Sequence, residues 1–159
     1  MVRQSRCIPL FLLLSAAVFA AGCGSEATDE AATGPTVVSS NGPVEETREV
    51  VLRHLDRFGG GDLEGIVADY AEDAVLFTPN GPLRGHEELR AAFEQFFVEW
   101  GQEGVTFELT DEHYVGNYGY YSWVAETPDN IYHYGVDGFV VRDGKIVVQF
   151  FGAHLEPNQ

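Results

Sequence analysis

Cysteine is almost missing from this chain: its 159 residues contain two, Cys7 and Cys23. Neither lies in the aromatic-rich body that follows, so that body has no disulfide framework and no thiolate ligands for a metal. Basic residues are scarce as well. Nine Lys and Arg stand against 25 Asp and Glu, a formal charge of −16, whereas a nucleic-acid-binding surface needs the opposite sign. The apolar run from Ile8 to Ala21 is shorter than the roughly 20 residues of a bilayer-crossing helix. The glycine run Gly59, Gly60, Gly61, Asp62 has no strand before it and no Lys-Ser or Lys-Thr after it, so it is not a phosphate cradle. Asp111, His113, His133, Asp137 and His154 are metal-ligand types without the compact spacing of a zinc site. No metal and no cofactor are expected.

Residues 1–22 read as an export signal. Arg3 and Arg6 precede the apolar run, and Ala20, Ala21 and Gly22 are small residues set directly before Cys23. The ending AAGC resembles the lipobox of bacterial lipoproteins, with Ala20 where leucine is usual. The resemblance implies that Cys23 is lipidated and becomes the mature N-terminus, the alternative being ordinary secretion with Cys23 as an incidental thiol. Cleavage would also remove Cys7 and leave Cys23 without an intrachain partner. Gly24 supplies no aspartate-type inner-membrane retention signal, so a membrane anchor on the periplasmic or cell-surface side is expected. Residues 23–43, rich in Ser, Thr, Gly, Pro and acidic residues, read as a flexible tether. Residues 44–157 are long enough for one core and too short for two ordinary domains.

That domain is organised around Gly61 to Phe97. Helical spacing through Ile66, Val67 and Tyr70 gives way to the extended run Ala74 to Phe77, then returns through Leu89, Phe93 and Phe97. Pro79, Asn80, Gly81 and Pro82 force a turn between the two patterns. Before this unit, Val44, Val51, Leu55 and Phe58 mark one face of an amphipathic helix with His54 beside it, and the glycine run stops it. Asp62 is a suitable N-cap for the second helix, which is expected to end near Tyr70.

Beyond Trp100 the chain reads as strands: Val105 to Thr110, Tyr118 to Ala125, Tyr132 to Arg142 and Ile146 to Ala153. Asp143-Gly144 predicts a two-residue type I′ hairpin. Regular pairing from that turn sets Val141 opposite Ile146 and Asp137 opposite Phe150. One face then holds His133, Asp137, Phe139, Phe150 and His154, and the other Tyr132, Tyr134, Val136, Val147, Gln149 and Phe151. Both faces are apolar enough to need cover, which points to a homodimer through the outer one, although bulges would change which residues face which way.

The GD helix, YAEDAVLFTP, GPLRGHEELRAAF and DGFVVRDGKI together resemble the SnoaL-like branch of the nuclear transport factor 2-like superfamily, which also contains ketosteroid isomerases. The resemblance implies an α+β cone: three N-terminal helices on a strongly curved, mostly antiparallel sheet, with a pocket between them. In ketosteroid isomerases a helical tyrosine and a late aspartic acid hold an enolate while an aspartate before a proline moves the proton. Matched residue by residue, these roles fall at His54, Asp137 and Thr78, and threonine cannot be that base. The expected function is recognition of a small apolar or aromatic molecule, with His54, Tyr70, Thr78, Trp123 and His154 as binding residues. The alternatives are an acid-base cyclase, isomerase or dehydratase using Asp137, its protonation adjusted by His133, or a non-catalytic scaffold domain.

Overall fold

The computed structural model describes residues 41–159; the expected signal peptide, the lipidation site Cys23 and nearly all of the expected tether lie outside them. Helix α1 (Asn41–Gly59) begins inside the segment read as tether. Its buried stripe is Thr47, Val50, Val51 and His54, the i, i+3, i+4, i+7 spacing of one helix face. Helix α2 (Leu63–Ala68) is capped as expected, the Asp62 side chain accepting from the Gly65 amide at 3.0 Å.

Tyr70 departs from expectation. It opens strand β1 (Tyr70–Thr78) and pairs with Ile146 instead of closing the helix. Tertiary bonds impose the change: the Ile146 amide donates to the Asp69 carbonyl at 2.8 Å, and Lys145 caps the Ala68 carbonyl. The Asp69 carboxylate is wholly buried and accepts from Arg53 at 2.7 Å and Arg57 at 2.5 Å, tying α1 to the end of α2. The expected proline-rich turn is itself a hairpin, with β2 (Gly81–Arg84) antiparallel to β1. Pro82 is tolerated because β2 is an edge strand.

Helix α3 (Gly85–Trp100) leads into β3 (Thr106–Val115), β4 (Tyr118–Glu126), β5 (Asn130–Arg142) and β6 (Lys145–Pro157). The six strands form one curved sheet in the order β2-β1-β6-β5-β4-β3, antiparallel except where β1 runs parallel to β6. The three N-terminal helices pack on it, α1 against β3, β4 and β5, and α3 against β1 and β2. Ile66, Leu76, Leu89 and Ile146 are fully buried between the layers, each worth roughly 1.5–3 kcal/mol of hydrophobic stabilisation.

The β5–β6 turn is type I′ as its sequence predicts: Asp143 and Gly144 have φ of 51° and 70°, with Arg142 opposite Lys145. Two bulges then change the faces. Val141 faces Ile146, but Val140 faces Val148, so the extra residue Val147 moves Asp137 opposite Phe151 rather than Phe150. A second irregularity between Tyr132 and Tyr134 leaves His133 and Tyr134 both exposed. Tyr132, Asp137, Gln149 and Phe151 consequently share the helix-covered face, while His133, Tyr134, Phe150 and His154 lie outside it.

Candidate functional site

The helix-covered face encloses a cavity of aromatic walls with a polar floor. Phe58, Phe93, Phe96, Trp100, Phe107 and Phe151 supply most of the wall, and Leu55 and Leu76 complete it. The polar groups are His54 from α1, Tyr121 and Trp123 from β4, Asp137 from β5 and Gln149 from β6. Alternation brings the strand residues together, since Tyr121 lies directly opposite Asp137 across the β4–β5 ladder.

Asp137 is the electrostatic centre of this site. It is 4% exposed, and each carboxylate oxygen has a donor: the Trp123 indole Nε1 at 2.8 Å on Oδ2 and the Gln149 Nε2 at 2.7 Å on Oδ1. The Gln149 Oε1 in turn accepts from the Tyr70 hydroxyl. Both bonds favour the ionised form, yet burial outweighs them and raises the Asp137 pKa to about 6. Burial, and then the Asp137 charge, push the Tyr70 and Tyr121 phenols well above their ordinary range, so both stay protonated donors.

His54 is 2% exposed, and its ring meets Tyr70, Phe93 and Phe139 edge to face at centroid distances of 5.3, 6.0 and 5.7 Å. Burial lowers its pKa to about 4, against a smaller opposing pull from Asp69. The imidazole is therefore neutral near pH 7, and its buried Nδ1 has no hydrogen-bond partner among the described residues. A neutral ring with a free polar atom beside an apolar cavity is equipped to meet one polar group of a ligand.

Two features that the sequence reading did not identify hold this arrangement. Gly135 lies directly opposite Trp123, and a Cβ there would sit 2.2 Å from the indole ring, so only glycine lets the tryptophan lie across β5 toward Asp137. Behind the wall, Glu99 Oε1 accepts from Thr127 at 2.7 Å and from Asn130 and Tyr132 at 2.9 Å each. These bonds fix the last turn of α3, and with it Trp100, whose ring meets Tyr132 at 5.0 Å and Trp123 at 5.6 Å.

The structure thus gathers His54, Trp123 and Asp137 around one cavity and keeps Tyr70 one hydrogen bond behind it. The remaining expected site residues are elsewhere. His133 and His154 are exposed neighbours with ring centroids 5.5 Å apart, and His133 faces Glu156 at 3.4 Å; the β5 and β6 bulges put them on the opposite side of the sheet from Asp137. Thr78 closes its own β-turn, donating to the Gly81 carbonyl at 2.9 Å, and lines a separate groove with Leu83, Ala92 and Leu155. Gln149 and Tyr121 were not singled out from sequence as site residues. An amide isolated in the apolar run IVVQFF was the available sign of a buried hydrogen bond. Among the described residues, no three His, Cys, Asp or Glu side chains are grouped to hold a metal ion.

Comparison with known families matches the model of the SnoaL-like domain to residues 51–149. The chain belongs to the SnoaL-like domain family. Among solved structures, this SnoaL-like domain is similar to an epoxide hydrolase/cyclase-like enzyme, SalBIII, described in pyran ring formation in the polyether salinomycin. The TM-score is 0.62 at 18% identity, covering 71% of this chain and 96% of that one. A protein described as a putative ketosteroid isomerase from Kribbella flavida DSM 17836 gives a TM-score of 0.58 at 20% identity, covering 73% and 84%. An NTF-2 like protein of unknown function from Burkholderia xenovorans LB400 gives 0.59 at 20% identity, covering 70% and 84%. No curated protein matches the chain. At these identities the structural likenesses establish the shared fold alone.

Proposed function

We propose that this SnoaL-like domain is exported, anchored through lipid on Cys23, and binds a small, neutral, largely apolar molecule between its helices and its sheet. The observation that carries the binding reading is the buried carboxylate of Asp137, the one carboxylate lining an aromatic cavity that also presents the neutral His54. Aromatic walls supply affinity without direction, and a few convergent polar groups supply orientation. An anionic ligand would be repelled by Asp137, whereas a hydroxyl could donate to it and a carbonyl could accept from Tyr121 or His54.

Acid-base catalysis by Asp137 is the second reading, favoured by its pKa of about 6, which leaves both protonation states accessible near neutrality. Thr78 supplies no base, and His133 and His154 lie on the opposite face of the sheet from Asp137. Native mass spectrometry of the purified protein, followed by product analysis of the captured compound with wild type and Asp137→Asn, separates the two. Binding without turnover is expected. Conversion that vanishes in the variant while binding persists would establish the catalytic reading instead.

The same proposal includes a homodimer through the outer sheet face. Phe77 and Phe150 stack there with centroids 5.1 Å apart, Phe150 is 52% exposed, and Tyr134 is 49% exposed. Tyr134 is on the outer face as regular alternation predicts, whereas Tyr132 and Phe151 turn inward and Phe150 takes their place. A second copy would cover the exposed rings. Light scattering is expected to give a dimer mass, and a monomer at micromolar concentration would reject it. Intact-mass analysis of the native mature protein tests the anchor: lipid on an N-terminal Cys23 is expected, and an unlipidated chain retaining upstream residues would contradict it.

A further inference from the structure

The cavity around Asp137 is narrow. Its volume is about 60 Å³, room for the end of a ligand rather than the whole of a larger one. It adjoins a wider vestibule of about 530 Å³, and Leu55, Phe58, Trp100 and Phe107 line both spaces. Trp100 and Phe107 face each other at 6.4 Å, 65° between ring planes. Past them glycine dominates one wall, Gly59, Gly60 and Gly61, while Phe97, Gly101, Gln102 and Val105 form the other. A Cβ added at Gly59 or Gly61 would meet nothing within 4 Å, so space beside this loop is left open.

We propose that these spaces form one two-chamber site with a neck at Trp100 and Phe107, and that its ligand is elongated, with a small polar head at Asp137 and an apolar tail in the vestibule. This inference rests on the ligand-binding reading and deepens it. A molecule confined to the inner chamber would bury only a few heavy atoms, too little apolar area for firm retention, whereas a tail through the neck adds contact with Phe58, Trp100 and Phe107. The glycine loop permits this because it brings no side chains to the tail's path. A second groove lies on the other flank of the cavity, sharing Phe96 and Phe151 with it and lined by Thr78 and Ala92. It shares less of the cavity wall than the vestibule does, which makes the Gly59 side the route.

The test is displacement of the neutral fluorophore N-phenyl-1-naphthylamine from the full domain by straight-chain 1-alkanols from butanol to decanol. In wild type, affinity should rise about three- to fourfold per methylene across the series. Gly59 is exposed and its backbone lies outside the left-handed region, so Gly59→Trp can fill the vestibule without backbone strain. It should abolish the rise beyond about pentanol while leaving butanol unchanged, and Gly59→Leu should blunt it. Ala92→Trp, which fills the other groove, should leave the rise intact. A wild-type plateau after pentanol, an undiminished rise in Gly59→Trp, or loss of the rise in Ala92→Trp overturns the two-chamber inference while the ligand-binding reading stands. Failure of the fluorophore and of every alcohol to bind overturns both.

Discussion

Replacing Asp137 by asparagine should make the domain more stable at neutral pH, and the gain should disappear on acidification. In the folded protein the Asp137 pKa is raised from 3.8 to about 6, chiefly by burial. The unfolded chain therefore ionises first as pH rises, and from pH 4 to 7.5 the folded state loses about 2.5 kcal/mol relative to it. An uncharged side chain is spared that loss. The hydrogen-bond network can adapt, because Gln149 turned over would offer Oε1 to the new amide and its Nε2 to the Tyr70 hydroxyl. His54 has the opposite sign. Its pKa, depressed by burial from 6.5 to about 4, destabilises the fold by about 3 kcal/mol as pH falls through the same interval, because only the unfolded chain takes up the proton. The two contributions nearly cancel in wild type, and Asp137→Asn unmasks the His54 loss. Urea unfolding of both proteins at half-unit steps from pH 4 to 7.5 measures this. The stability difference, variant minus wild type, should climb by about 2–3 kcal/mol toward neutral pH. A flat difference would show that the hydrogen bonds from Trp123 and Gln149 match burial, one that falls as pH rises that they outweigh it, and either would refute the reasoning.

Three further substitutions probe the frame of the cavity. Gly135→Ala should cost about 3 kcal/mol or more, since the new methyl displaces the indole and breaks its bond to Asp137; urea unfolding with tryptophan emission reports both the loss and the altered ring environment. Phe93→Ala should cost about 3–5 kcal/mol, because the ring is 3% exposed and packs on His54, Tyr70 and Phe97, and its urea midpoint gives the value. Tyr70→Phe should cost about 1–2 kcal/mol by leaving the buried Gln149 oxygen without its donor; the same unfolding assay applies, and a neutral result would mean that water replaces the phenol.

Much of the fold was legible because its signals are local. Helix α1 packs Val51 into the core with Leu55 and Phe58 against it, Asp62 caps α2, and Asp143-Gly144 specifies the type I′ turn that the structure contains. Asp137 and His54 were identified through the family resemblance, and Trp123 through the aromatic content of its strand; all three line the cavity. What escaped was parity. A single extra residue at Val147 and an irregularity at His133 invert the inside and outside of neighbouring positions, and sequence alternation cannot register an insertion whose cause is sheet curvature. That is why His133 and His154 were assigned to the face of Asp137 and Gln149 was not. Tyr70 misled for a similar reason: its helical spacing with Ile66 is real, but pairing with Ile146 decides its conformation.

The central claim, that Asp137 and the surrounding aromatic rings form a site for a neutral apolar molecule, is tested most directly by the indole N–H resonances. The chain has two tryptophans: Trp123 reports the cavity floor through its bond to Asp137, and Trp100 reports the neck. In a nitrogen-15 titration with N-phenyl-1-naphthylamine, both indole signals should move and saturate together at micromolar probe. Stationary indole signals, with shifts confined to outer-face residues such as Tyr134 and Phe150, would contradict the account.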